Sequence, residues 1–306
     1  MSVEKNVLSI RALVEAFEEM EIIGNADTQI DGLNLTNRKT QCKKVLSFAV
    51  SSQYVQNVND AQHVKAMVLR REDVDAYKGI MDSRNGCIIV AENPEVTFYM
   101  IHEYLYKETD FYEKFDFPAQ IGENCNIHPT AFIDDGVIIG NRVTIGAGTV
   151  VKRGSIIDDD TTIGCSTVIG TEGFQLIIIP GKEPLHVTHV GKCHIANNVY
   201  VGDNTCICNS LFDGETFVAA GAKIDNHVHI GHNIYVGENA VLTAHVVLGG
   251  SCRIEAGAWL GMNTTVLNRV VVGEGSKAGM ASVITRDVEP YTLVYGSPAK
   301  AHGFVK

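Results

Sequence analysis

The sequence predicts a mainly β protein, a parallel β-helix of hexapeptide repeats preceded by a small N-terminal α/β domain. The first observation is a six-residue beat from Ile121: I-G-E-N-C-N, I-H-P-T-A-F, I-D-D-G-V-I, I-G-N-R-V-T, I-G-A-G-T-V. A fixed short period of this kind is the signature of a solenoid. The second is a small residue four places after the opening apolar residue, as at Val143, Thr149, Thr167, Ala240, Cys252 and Ser282. Opener and small residue would point inward, and Gly, Asn or Asp between them would turn the corner, giving one face per hexad and three per coil. The third is that the beat is absent from the first third of the chain.

Taken in order, Ile10, Leu13, Val14 and Phe17 have helical spacing behind Ser9, a good N-cap, which predicts an amphipathic helix over 9–20. Val45–Val50, Ala66–Leu69 and Cys87–Val90 have the length and branching of buried strands. A second helix opens at Asn93-Pro94, with Asn as cap and Pro at the first helical position. These elements form a domain over 1–106, and 107–120, rich in charge and aromatics and carrying Pro118, is the linker. The β-helix then runs over 121–289 and leaves a tail at 290–306. Its beat fails over 175–194, with Pro180 and Gly181 inside, so this stretch is a loop ejected from the solenoid. A second irregularity, Asp213–Lys223, is one residue short of two hexads and shifts the corners. Irregular backbone beside a repetitive wall is where a pocket can form.

Composition narrows the function classes. A net charge of −11 disfavours nonspecific nucleic-acid binding, because phosphates must be neutralised by Lys and Arg. No apolar run reaches the roughly 20 residues of a membrane span, and the start M-S-V-E-K lacks the features of a signal peptide, so a cytoplasmic protein is expected. The eight cysteines lack C-x-x-C spacing and read as reduced packing residues rather than a disulfide framework.

The chemical candidates follow the second irregularity, in I-D-N-H-V-H-I-G-H-N and then His245. Any single histidine at a solenoid corner can be an inert solvated residue. His232 stands apart because the residue eighteen positions on, one coil later, is Gly250, whose bare backbone N–H is accessible to an oxyanion. The same arithmetic stacks His227 beside His245. A metal reading is also open, since H-x-H-x-x-H could offer zinc ligands as in hexapeptide trimers resembling the γ-class carbonic anhydrase. The three histidines nevertheless occupy different repeat positions and should diverge. A non-catalytic nucleotide-binding scaffold is a third reading.

The beat, the segment G-T-E-G-F, and I-D-N-x-x-x-I-G-H-N followed by V-G-E-N-A-V resemble the UDP-3-O-acylglucosamine N-acyltransferase of lipid A biosynthesis and related sugar N-acyltransferases. In the first domain L-S-F-A-V-S-S-Q-Y resembles that family's uridine-binding segment, which implies Phe48 and Tyr54 as nucleobase contacts. The resemblance implies a left-handed helix, a homotrimer, active sites between neighbouring coils, and acyl transfer from a thioester to the amine of a nucleotide-linked sugar. No tightly bound cofactor is expected, the donor being acyl-CoA or acyl carrier protein.

In that chemistry the amine must shed a proton, and a neutral imidazole, with an ordinary pKa of about 6.5, is suited to take it. His232 is the base, Asp225 a carboxylate that could fix its tautomer or simply turn a corner, and the Gly250 N–H an oxyanion donor. Asn226 and His229 are neighbours of the pocket. Two departures from the lipid A enzyme, Ser51 for Asn and Arg269 for a second downstream histidine, fall at substrate-binding positions. The closing A-S-V-I-T-R-D-V-E-P-Y-T-L-V-Y-G-S-P-A-K instead resembles coenzyme A-dependent sugar acetyltransferases. There Gly279, Ala281 and Ser282 would leave a groove for pantetheine, with Arg286 or Lys300 for its phosphates.

Overall fold

A computed structural model describes residues 6–17, 20–36, 38 and 40–305. Contacts divide the chain into two compact units, one of residues 1–114 with 174–190 and the other of 115–173 with 191–306.

The second unit is a parallel β-helix. Strands mostly two residues long form three sheets of eight, ten and eight strands. The first runs from Gln120–Ile121 to Val271–Val272, the second from Asn126–Ile127 to the terminal pair Thr292–Tyr295 and Lys300–Phe304, and the third from Phe132–Ile133 to Val283–Ile284. In regular coils partners are eighteen residues apart, as in Ile121 with Ile139 and Leu242 with Leu260. Most openers therefore stack on another branched aliphatic residue, and Ile139, Ile157, Ile195, Val218, Val236, Ile254 and Val272 form one continuous buried column. The small residues picked from the sequence, Val143, Thr149, Thr167, Ala240, Cys252 and Ser282, are all fully buried.

Two local devices make the coils close. Corners need left-handed backbone, taken up by Asn124, Arg142, Asn204, His227, Asn239, His245, Arg269 and Ala281 among others, with φ from 54° to 66°. Buried threonines satisfy corner amides and carbonyls. Thr167 Oγ1 donates to Gly202 O at 2.7 Å and accepts from Thr205 N at 3.2 Å, and Thr205 repeats the pattern with Asp225 O and Val228 N. The outer faces carry matching ladders. His194, Phe217, Tyr235 and Arg253 follow one another on the first sheet, His194 edge-to-face with Phe217, Phe217 stacked on Tyr235, and the guanidinium 4.2 Å from the Tyr235 ring.

Two coils break the spacing. Ile157 pairs with Ile195 across the 174–190 insertion, and Ile207 pairs with Ile230, twenty-three residues on, because 209–214 leaves the helix as a loop. The segment expected as a terminal tail is a hairpin, Thr292–Tyr295 against Lys300–Phe304, that extends the second sheet.

The first unit has a five-stranded sheet ordered Glu21–Gly24, Cys87–Val90, Val64–Leu69, Val45–Phe48 and Gly32–Leu33, parallel except at the first pair. The first helix covers only Ile10–Val14, capped by Ser9 Oγ accepting from Ala12 N. It is shorter than predicted because the chain turns at Glu15–Phe17, where Phe17 N donates to Val14 O, and Glu18 and Glu19 of the predicted span lie outside the described residues. The helix Pro94–Glu108 begins where expected, with Asn93 Oδ1 accepting from Val96 N. The insertion is a hairpin, Leu176–Ile177 against Leu185–His186, rather than an irregular loop. It is fastened to the Pro94–Glu108 helix: Thr188 N donates to Glu103 Oε1 at 2.7 Å, and buried His102 lies 2.8 Å from both Tyr112 Oη and Thr188 O.

Two measurements probe this architecture. Thr167→Val strips Gly202 O and Thr205 N of their buried partner and should cost about 1–3 kcal/mol in denaturant unfolding, whereas Thr167→Ser should cost less; equal stability of the valine variant would contradict the ladder. His194 sits between Glu215 and Asp158, at 3.2 and 3.0 Å, and its hydrogen bond to Glu215 is the largest cause of a raised pKa. Since the folded value exceeds the unfolded one, this contribution is complete below the unfolded imidazole pKa and disappears as pH rises through the folded one. Wild type should lose that increment in pH-dependent unfolding and His194→Gln should not.

Candidate functional site

The loop 209–214 positions the strongest catalytic candidate. Asn233, at a left-handed corner with φ 59°, accepts a hydrogen bond at Oδ1 from Leu211 N at 3.1 Å, and its Nδ2 donates to Ser210 Oγ. These two partners fix which end of the amide is oxygen. Asn233 Oδ1 also lies 2.8 Å from His232 Nδ1, so Nδ1 must be the N–H and Nε2 keeps the lone pair. A neutral imidazole held in this tautomer is a base with its lone pair aimed away from Asn233.

The face of the ring at that nitrogen packs against Gly250. A Cβ added to Gly250 would lie 2.6 Å from His232 Nε2, with Cε1 and Cδ2 at 2.9 and 3.0 Å. The position admits no side chain while the ring stays in place. Among the described residues none accepts a hydrogen bond from Gly250 N–H. The eighteen-residue offset thus brings together an oriented imidazole and a backbone donor.

The other predicted residues separate. Asp225 is not the partner of His232 in this chain: its oxygens accept from Asn226 N at 2.7 Å and Ala244 N at 3.1 Å. It follows Lys223–Ile224 in the second sheet, whereas His232 follows His229–Ile230 in the third. Asn226 Oδ1 is likewise committed to Asp203 N at 2.7 Å, continuing a corner ladder made below by Asn141, Asp159 and Asp203. His227 and His245 stack at 4.8 Å with rings 1° from parallel. Arg269 occupies an exposed left-handed corner one coil above Ser251, its N–H bonded to Gly250 O.

Among the described residues of one chain, His227, His229 and His232 do not group as metal ligands with one another. His229 meets Cys206 and Cys208 instead, with donor atoms all within 4.8 Å of one another. Hydrogen bonds from Cys208 and then His229 bring the Cys206 thiol down to about 5, while the Cys208 thiol is pushed up, chiefly by that same bond to Cys206. These two cysteines are more than packing residues.

In the first unit, Phe48 is half-buried against Phe98 and Tyr99, at ring distances of 5.0 and 6.1 Å, and Tyr54 is exposed. Ser51 Oγ is buried without a partner among the described residues, and Ser51 O accepts from Tyr77 Oη. Near the C-terminus the pantetheine groove is not formed by Gly279 and Ser282. The space a Gly279 side chain would take is occupied by Tyr295 Cβ, 2.9 Å away, and Ser282 points into the core with Oγ on Gly279 O. Ala281, Arg286 and Lys300 are exposed. A concavity of about 220 Å³ that the sequence did not indicate lies on the second sheet, lined by Tyr200, Lys223, Asp225, Thr243 and Trp259 among others. Its signal was the outward aromatic at matching positions of separate coils, hidden by the irregular spacing between Tyr200 and Lys223.

Residues 118–153 match the bacterial transferase hexapeptide (six repeats) family. Among solved structures, the hexapeptide solenoid is similar to UDP-N-acetylglucosamine acyltransferase from Campylobacter jejuni, with TM-score 0.55 and 23% identity over 61% of this chain and 70% of that one. The likeness bears on fold, and the fold is a left-handed parallel β-helix. Curated relatives include UDP-3-O-acylglucosamine N-acyltransferases from Anaeromyxobacter dehalogenans, 33% identical over 60% of this chain and 48% of its own length, and from Wolinella succinogenes, 29% identical over 58% and 50%. The chain thus spans about half the length of the curated relatives it matches.

The hydrogen-bond chain predicts the imidazole tautomer. Nitrogen-15 NMR should show neutral His232 as the Nδ1–H form, and Asn233→Ala should release it to the mixture of a solvated imidazole. A predominant Nε2–H form in wild type would contradict the assignment.

Proposed function

We propose that the protein is an N-acyltransferase that moves an acyl group from a thioester to the amine of a UDP-linked amino sugar in lipid A or related cell-surface glycan biosynthesis. The observation that carries this reading is His232, its tautomer fixed by Asn233, with the face of its ring at Nε2 packed against Gly250. The names of the curated relatives support the reaction class and the UDP-linked acceptor.

The sugar amine attacks the thioester carbonyl and forms the C–N bond while His232 Nε2 removes its proton. Asn233 Oδ1, holding Nδ1–H, stabilises the resulting imidazolium. The carbonyl oxygen becomes an oxyanion and receives the N–H of Gly250, a contribution of about 3 kcal/mol in comparable sites. Collapse breaks the C–S bond, and the imidazolium returns its proton to the departing thiolate. Phe48, Ser51 and Tyr54 are assigned to the nucleotide, with Ser51 Oγ the unpaired polar group available to it. Arg269 and His229 are assigned to the acceptor side.

Acyl-CoA is the favoured donor, with exposed Arg286 and Lys300 available to its phosphates, and acyl carrier protein is the other donor class. The reading includes a homotrimer acting in the cytoplasm. No helix among the described residues is long and apolar enough to cross a membrane.

Thiol release from acyl-CoA and acyl-carrier thioesters, each with UDP- and dTDP-linked amino sugars, tests the proposal. His232→Ala should lower sugar-dependent release by about 10²–10⁴-fold, and Gly250→Ala should lower it by at least about 10-fold by displacing the ring, both with unchanged circular dichroism. Near-normal transfer by His232→Ala would overturn the assignment.

A further inference from the structure

The outer face of the third sheet brings two cysteines that acyl transfer does not use together with a histidine. Cys206 and His229 occupy adjacent strands in register, with Ile207 and Ile230 beside them pointing into the core. Alternation along the strand puts Cys206 and His229 on the outer face and Cys208, two residues on, on the same side as Cys206. A register shift in the preceding strand, between Ile169 and Thr171, accommodates Cys208 at the strand end. The three residues grade from buried Cys208 through half-buried Cys206 to exposed His229.

We propose that Cys206, Cys208 and His229 form a binding site for a thiophilic divalent cation, zinc being the class their chemistry fits. Zinc takes sulfur at about 2.3 Å and imidazole nitrogen at about 2.0 Å, so tetrahedral donors stand roughly 3.5–3.8 Å apart. The donor atoms here already lie within 4.8 Å of one another, and rotamer adjustment of exposed His229 covers the difference. All three sit on paired strands of a rigid solenoid, the kind of support that holds a ligand set in place. Binding deprotonates the two thiols, releases their protons to solvent and leaves the imidazole neutral, which makes affinity rise with pH. Two sulfurs and one nitrogen fill three positions, and the fourth stays open on the solvent side for water or an added ligand.

The site does not depend on the transferase reading, and its test does not use activity. Tag-free protein, kept reduced with a phosphine, is titrated with Co²⁺ as the spectroscopic probe and then with Zn²⁺ as competitor. One equivalent of Co²⁺ should produce thiolate-to-metal charge-transfer absorption with d–d bands of tetrahedral intensity, and Zn²⁺ should abolish both. Cys206→Ser and Cys208→Ser should each remove the charge-transfer band or weaken binding at least about 10-fold, and His229→Gln should weaken it at least about 10-fold. Cys165→Ser, at an exposed thiol outside the group, should leave the titration unchanged. Circular dichroism confirms that each variant is folded. Absence of a thiolate band in wild type, its survival at undiminished affinity in the Cys206→Ser and Cys208→Ser variants, or indifference to His229→Gln would overturn the site.

Discussion

Everything in the solenoid depends on one constraint: successive coils stack in register at the β-strand spacing of roughly 4.8 Å. Each inward aliphatic column and outward ladder is a consequence. The buried run from Ile139 to Val272 supplies the hydrophobic drive. Thr149, Thr161, Thr167 and Thr205 solve the problem this creates, because corner amides near an apolar core require partners that fit the small inward site. Asn141, Asp159, Asp203 and Asn226 do the same on the outside of one corner.

Against that regularity, the five residues added between Ile207 and Ile230 acquire their meaning. A coil of standard length has no group to reach Asn233 from the side. The loop 209–214 supplies Ser210 Oγ and Leu211 N, and these fix the amide that fixes the imidazole. Catalytic competence is thus assigned to a local departure from the repeat, while Gly250 is delivered by the repeat itself. The same departure sets Cys206 opposite His229.

How much could be read from the chain follows the same division. The hexapeptide beat made the solenoid, its inward residues and the His227–His245 and His232–Gly250 stacks legible, because eighteen-residue arithmetic applies wherever the period holds. It could not find the Cys206–His229 pair, twenty-three residues apart, or Asn233 as the orienting group, whose partners come from the irregular loop. Of the two roles the sequence left open for Asp225, the structure fits the corner, because nearness in a motif says nothing about which corner a residue turns, and its carboxylate holds backbone amides. Gly279 reads as open space in sequence, yet Tyr295 fills it, because the closing hairpin folds back along the second sheet. In the first unit, hydrophobic runs marked the central strands, but the short helix at Ile10–Val14 ends earlier than its apolar spacing implied.

The account rests on His232 acting as a neutral base of fixed tautomer. The most direct test is the pH dependence of acyl transfer set beside the NMR titration of the His232 ring in the same protein. The account predicts that the acid limb of the rate profile coincides with the titration of that one imidazole and shifts upward with it in Asn233→Asp, where a carboxylate replaces the amide acceptor. A rate profile that ignores the His232 titration, or an acid limb that stays in place when the imidazole shifts, would contradict it.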